Sequence, residues 1–131
     1  MVVLDTDILI GILREDHEAV DFLDALESSG EKLNITVVNA YELYEGALIH
    51  PKKEETIKKV ETLIMSFECL NFTHPASPIA AGISAELRKK GGMIDLEDIY
   101  IASIAKLNDE DIVTRNEKHF SRIKGINVRK W

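Results

Sequence analysis

The chain has 131 residues, 45% of them hydrophobic and 30% charged, with a formal net charge of −7 and one cysteine. This composition excludes a disordered or fibrous protein, and the length predicts one domain over residues 1–131 with a single closed core. The acidity excludes a protein that binds nucleic acid simply by being basic, and no apolar run approaches the ~20 residues of a membrane helix.

VVLDT at the start reads as a short buried strand, and ILIGILRED after it places Ile8, Ile12 and Leu13 at helical spacing. HEAVDFLDALESSG predicts a helix with Val20, Leu23 and Leu26 on one face, ended by Ser-Gly. LNITVV is a second strand. Asn39 is placed to cap the next helix, with Glu42 three residues on as a capping-box partner. Pro51 opens KKEETIKKVETLIMSF, amphipathic through Ile57, Val60, Ile64 and Phe67. ECLNF is a third strand, and the helix of PIAAGISAELRKKGG stops at a glycine pair. DLEDIYIASIAKLND predicts a helix packing Ile99, Ala102 and Ala105 on a sheet. DIVT is a fourth strand, TRNEKHFSRIKG a loop or short helix, and INVRKW a last short strand. Strands alternating with helices predict a three-layer α/β/α domain around a short, mainly parallel sheet of four to five strands.

Acids already at residue 5 argue against a signal peptide. The lone Cys69, in the apolar setting FECLNF, reads as a buried inert thiol in a reducing cytoplasm. The absence of glutamine leans weakly towards a heat-adapted source. Charge is uneven: from Arg115 to Trp131 six Lys/Arg face one acid, Glu117, a stretch able to touch a polyanion or simply to be solvated.

In an open parallel sheet, ligands bind beyond the carboxyl ends of the strands. Asp5 and Asp7 follow the first strand there, and Thr114 and Asn116 the fourth; Glu42 lies one turn into the helix after the second, and Asp95 and Asp98 open the helix before the fourth. Carboxylates crowded together repel one another, and a hard divalent cation such as Mg²⁺ or Mn²⁺ removes that penalty. Such a cation suits phosphodiester hydrolysis by an activated water. His17, His50, His74 and His119 are scattered and there is no second cysteine, so no zinc centre is predicted, nor is there a glycine-rich phosphate loop. Each acid also has a plain structural reading. Asp5 can be an N-cap, Glu42 the box partner of Asn39, and Asn116 a turn residue. For Asp95 the cap reading prevails, whereas Asp98 precedes the packed stretch IYIASIA and is harder to explain that way.

These residues resemble the motifs of the PIN-domain nucleases, specifically the VapC-type toxin ribonucleases, nearly end to end. LDTDILIG is similar to the family's Leu-Asp-Thr-Asn/Asp opening and ELYEG to its Glu-Leu-x-x-Gly. DIYIASIAKLNDEDIVTRNEKHFSRIKGINV is similar to its Asp-x-x-Ile-Ala … Val-Thr-x-Asn/Asp-x-x-x-Phe … Gly-hydrophobic-x-Val ending. The resemblance implies that Asp5, Glu42 and Asp98 hold Mg²⁺ or Mn²⁺, with Glu42 preferred over Glu45. It sets Asn116 in the fourth catalytic position, commonly Asp, where an amide brings no charge and Glu117 is a weaker substitute. It implies supporting roles for Thr6, Asp7, Thr114 and Asp95, with Asp7 holding the turn after the strand. It further implies a cytoplasmic endoribonuclease that hydrolyses RNA phosphodiester bonds with a metal-activated water, leaving 5′-phosphate and 3′-hydroxyl ends. A homodimer and a VapB-like antitoxin that covers the active site are implied as well. Arg88, Arg115 and Lys118 are the RNA-binding candidates. Two other readings compete: a catalytically degenerate module binding RNA or a partner, and a haloacid dehalogenase-like phosphatase with Asp5 as nucleophile. The second lacks the expected Thr or Val at Leu9.

Overall fold

The computed structural model describes residues 1–131. Its elements are β1 (Val2–Leu4), α1 (Thr6–Leu13), α2 (His17–Ser28), β2 (Leu33–Thr36), α3 (Val37–Leu48), α4 (Lys53–Ile64) and β3 (Glu68–Leu70), followed by α5 (Ala76–Lys90), α6 (Leu96–Leu107), β4 (Asp111–Val113), α7 (Glu117–Phe120) and β5 (Val128–Arg129). The five strands form one sheet in the order β3-β2-β1-β4-β5, every pairing parallel. Strand order therefore reverses at β1, which lies between β2 and β4. The carboxyl ends of β1 and β4 bound the crevice this reversal opens.

Side chains alternate across the central strands, so each face collects its own core. Val3 and Ile112 point to one face and pack with Ile83 and Leu87 of α5, Ile99 and Ala102 of α6, and Phe120 of α7. Val2, Leu4 and Val113 point to the other, against Ile8 and Leu9 of α1, Leu43 of α3 and Val60 of α4. This is the three-layer α/β/α arrangement that the alternating elements predict.

Local chemistry sets the boundaries. Helix α5 closes at Gly91 with φ of 68°, a left-handed turn that a glycine adopts without steric cost. Gly11 allows α1 to lie against α2, because a Cβ there would stand 2.7 Å from the Ala19 Cβ and 3.1 Å from the Trp131 ring. One sequence reading is corrected. Helix α3 starts three residues earlier than expected, with Thr36 as its N-cap and Asn39 as the box partner rather than the cap. The Thr36 hydroxyl accepts from the Asn39 backbone N–H at 3.2 Å while Asn39 Oδ1 accepts from the Thr36 N–H at 2.8 Å. Glu42 is thereby released from capping.

Candidate active site

The tight turn from β1 into α1 fixes the first carboxylate. Asp5 is the N-cap of α1, and its Oδ1 accepts from the Thr6 backbone N–H at 2.8 Å. Its Oδ2 accepts from the Thr114 hydroxyl, at the end of neighbouring β4, at 2.7 Å. The capping reading and the site reading of Asp5 thus coexist, since one oxygen caps while the other faces β4. Asp5 is 6% exposed. Burial pushes its carboxyl up to about 7; the Asp7 charge adds to the rise, and the bonds from Thr114 and Thr6 oppose it.

Glu42, on the inner side of α3, accepts from the Thr6 hydroxyl at 2.8 Å, and Thr6 in turn accepts from Asn39 Nδ2 at 3.0 Å. Burial raises the Glu42 carboxyl, the Thr6 bond opposes it, and the Asp98 charge adds to it. Asp98 lies in the first turn of α6 and is buried. Burial raises its carboxyl as well, against the hydrogen bond and charge of His119.

The three acids are strung on one polar chain. From Glu42 it passes through the Thr6 hydroxyl and N–H to Asp5, then to the Thr114 hydroxyl, which accepts from the Asn116 N–H at 2.9 Å. Asn116 Nδ2 lies 2.8 Å from His119 Nδ1, and that ring nitrogen lies 2.8 Å from Asp98 Oδ2. A protonated Nδ1 donates to Asp98, and an unprotonated one accepts from the amide.

Asp7 branches from this chain at Thr114. Its Oδ2 accepts from the Arg115 N–H at 2.8 Å and its Oδ1 from the Trp131 indole N–H at 2.9 Å, while the Thr114 hydroxyl lies 3.0 Å from Oδ2. Its oxygens are spent on tying the α1 turn to the segment after β4. Asp95 occupies the N-cap position of α6 but makes no capping hydrogen bond. Its carboxylate instead groups with Asp98 and His119, one ligand atom from each lying within 4.8 Å of the others.

Among the cation candidates, the Arg115 guanidinium pairs with Glu18 and stacks 3.6 Å from the centroid of the Trp131 ring. Arg88 is exposed in the last turn of α5, and Lys118 is exposed on α7. Sequence reasoning missed two contributors. His119, set aside as one of four scattered histidines, reaches Asp98 across 21 residues of chain. Trp131 donates to Asp7 across 124 residues. The helical spacing of Asn116 and His119 was the sole local signal for the first, and there was none for the second.

These residues fit a hard divalent cation. The donors that come within 4.8 Å of one another are two carboxylates and one imidazole, from Asp95, Asp98 and His119, and Asp5 and Glu42 add carboxylates along the hydrogen-bonded chain. The largest influences that favour the charged forms of Asp5, Glu42 and Asp98 are the hydrogen bonds from Thr114 and Thr6 and the hydrogen bond and charge of His119, with no Lys or Arg among them.

A family model described as the PIN domain matches residues 2–126. Over 128 residues the chain is 26% identical to "Ribonuclease VapC2" of Haemophilus influenzae and 30% identical to "tRNA(fMet)-specific endonuclease VapC" of Salmonella typhimurium. Each match covers 98% of this chain and 96% of the relative. The crystal structure of VapBC2 from Rickettsia felis, bound to a DNA fragment from its promoter, superposes with a TM-score of 0.92 at 26% identity. That match spans 100% of this chain and 99% of the other.

Proposed function

The chain belongs to the PIN-domain family, and from that membership we propose that it is a VapC-type endoribonuclease, the toxin of a toxin–antitoxin pair, dependent on Mg²⁺ or Mn²⁺. The observation that carries this reading is the polar chain joining Glu42, Asp5 and Asp98 at the crevice between β1 and β4.

Asp5, Glu42 and Asp98 would hold the cation, with Asp95 beside them and Asn116 in the fourth position. A divalent ion there supplies charge neutralisation, polarisation of the phosphoryl group and a lowered pKa for the attacking water. The remaining work belongs to the chain. Thr6 fixes Glu42 and, through its N–H, Asp5, so two carboxylates from different elements are oriented by one residue. Thr114 fixes the second oxygen of Asp5. His119 holds one oxygen of Asp98 and leaves the other free for the crevice. Asp7 keeps the turn rigid through Arg115 and Trp131. Hydrolysis then adds water to phosphorus, breaks the P–O3′ bond, and leaves 5′-phosphate and 3′-hydroxyl ends.

The partners we propose are structured cellular RNA, a VapB-like antitoxin whose segment covers the acids, and a second copy of the chain. The protein works in the cytoplasm with residues 1–131 as one domain. No helix is long and apolar enough to cross a membrane. A hollow of Val37, Val38, Tyr41, Leu96 and Tyr100 between α3 and α6, with Glu97 as its one charged lining residue, supplies a face for the second copy to bury.

The deciding experiment incubates antitoxin-free protein with a panel of cellular RNAs in Mg²⁺ or Mn²⁺. Cleavage is expected, abolished by EDTA and by Asp98→Asn. Bound metal with every RNA left intact would replace this reading with a non-cutting module, for which the amide at Asn116 is the favouring observation.

A further inference from the structure

An acidic protein that draws RNA towards three carboxylates needs cations nearby to hold the phosphates. Most of its basic side chains near the C-terminus are engaged elsewhere. Arg115 pairs with Glu18, Lys130 with Glu117, and Arg129 with both Glu31 and Asp111. The surface between α1 and α4 offers Arg14, Lys52, Lys53, Lys58 and Lys59, but interleaves them with Glu15, Glu54 and Glu55, and Lys59 pairs with Glu55.

One hollow differs. A cavity of about 280 Å³ between α5, α6 and the segment after α7 has an apolar floor of Ile79, Ile83 and Ile123 and a rim bearing Lys106, Arg122 and Lys124. Glu86 is its single acid, and Lys90 binds it at 3.1 Å. The bond from Lys90, with the charges of Lys124 and Lys106 behind it, holds the Glu86 carboxyl below the ordinary range. The rim is built rather than incidental. Lys106 Nζ donates to the Lys124 carbonyl at 3.1 Å, and the Arg122 guanidinium donates to the Gly92 and Met93 carbonyls at 3.3 and 3.4 Å.

Two short stretches join this cavity to the acids. The loop after α5 runs from the Gly92 and Met93 carbonyls to Asp95, and the chain after α7 runs from His119 to Arg122 and Lys124. The cavity therefore runs down the outer flank of α5 and α6, from the loop before Asp95 to Lys106 at the end of α6 away from Asp98.

Resting on the ribonuclease reading, we propose that the cavity rimmed by Lys106, Arg122 and Lys124 is a phosphate subsite for the RNA backbone. It holds a nucleotide remote from the one that is cut. The cations take the phosphate, and the apolar floor lies under the sugar and base. Its volume, at the small end of ligand-sized hollows, suits one such unit rather than a folded peptide.

The test is the double variant Lys106→Gln/Lys124→Gln in the full chain, with Lys124→Arg as the charge-conserving control. Cleavage of a long single-stranded RNA should show KM raised roughly tenfold with kcat unchanged, and a dinucleotide too short to span both sites should be cut as before. Binding of the same long RNA in EDTA should lose about 1.4 from the slope of log K against log salt, at about 0.7 per phosphate contact on a single strand. The Arg control should match the parent. Unchanged KM and slope in a parent that cuts RNA would overturn the subsite and leave the nuclease reading standing. A parent that cuts nothing would overturn the nuclease reading, and the EDTA slope would still judge the cavity. If the double variant keeps its RNA slope but loses affinity for an acidic peptide of the antitoxin, the cavity is a protein-docking site and the proposal fails.

Discussion

His119 Nδ1 stands 2.8 Å from Asp98 Oδ2, joining α7 to the first turn of α6. The same nitrogen lies 2.8 Å from Asn116 Nδ2, and because it either donates or accepts, it holds Asp98 when protonated and the amide when not. Groups that orient ligands in this way typically cost 10–100-fold in metal affinity or activity when removed. His119→Ala is expected to lower kcat within that range. His119→Asn, whose amide can reach the place of Nδ1, should recover a substantial part. Isothermal titration with Mn²⁺ alongside RNA cleavage checks both, and an alanine variant with parental metal affinity and kcat would remove His119 from the site.

Replacement of Asp5 should separate stability from activity. A buried carboxyl pushed up to about 7, with Asp7 beside it, destabilises the fold whenever it is ionised. Asp5→Asn keeps an acceptor for the Thr6 N–H, turns an Nδ2 donor towards the Thr114 hydroxyl, which still donates to Asp7, and removes the charge. In EDTA at pH 8 the variant should unfold at higher urea, by about 1–3 kcal/mol, and should cut no RNA. Asp7→Asn should be the milder change for Mn²⁺ affinity. The reverse order in a Mn²⁺ titration would exchange the roles of the two acids.

Stability of the metal-free protein should fall as pH rises. The folded Asp5 carboxyl binds its proton up to about 7, whereas the unfolded one releases it near 3.8. Between those values the native state carries the more protons, so the stability gained from a neutral Asp5 is lost as pH climbs through the folded value. Burial raises Glu42 and Asp98 in the same direction. The loss should total on the order of a few kcal/mol between pH 4 and pH 8 by urea unfolding in EDTA. Mn²⁺ should restore it at pH 8 and do little at pH 5, where protons compete for the same oxygens.

Gly11→Ala probes the back of the site. The added Cβ would stand 2.7 Å from the Ala19 Cβ, so α1 and α2 must separate, at a cost of about 1–3 kcal/mol. It would also stand 3.1 Å from the Trp131 ring, whose indole N–H holds Asp7. Urea unfolding should show the loss, and Trp131 fluorescence should shift because the ring is displaced.

Much of this molecule was legible in order of residues. The strands fall where β-branched runs end at turn residues, the helices where apolar spacing changes to three and four, and the parallel sheet follows from their alternation. The acids could be located at one edge because each of them sits just beyond or near the carboxyl end of a strand. The start of α3 misled because both Thr36 and Asn39 are good capping residues, and only the hydrogen bonds show which of them caps.

The sequence by itself determined the layers, the edge of the sheet that carries chemistry, and the types of residue aimed there, since these depend on periodicity and on the neighbours of each residue. Tertiary structure alone decided which side chains share a proton or a charge. Thr6 with Glu42, Thr114 with Asp5, His119 with Asp98 and Trp131 with Asp7 are pairs separated by 36, 109, 21 and 124 residues. Such pairings arise from strand order and helix crossing, and a linear pattern does not encode them. For the same reason the basic run towards the C-terminus looked like one surface in sequence. In space it divides between structural ion pairs and the rim of a hollow on the α5–α6 flank.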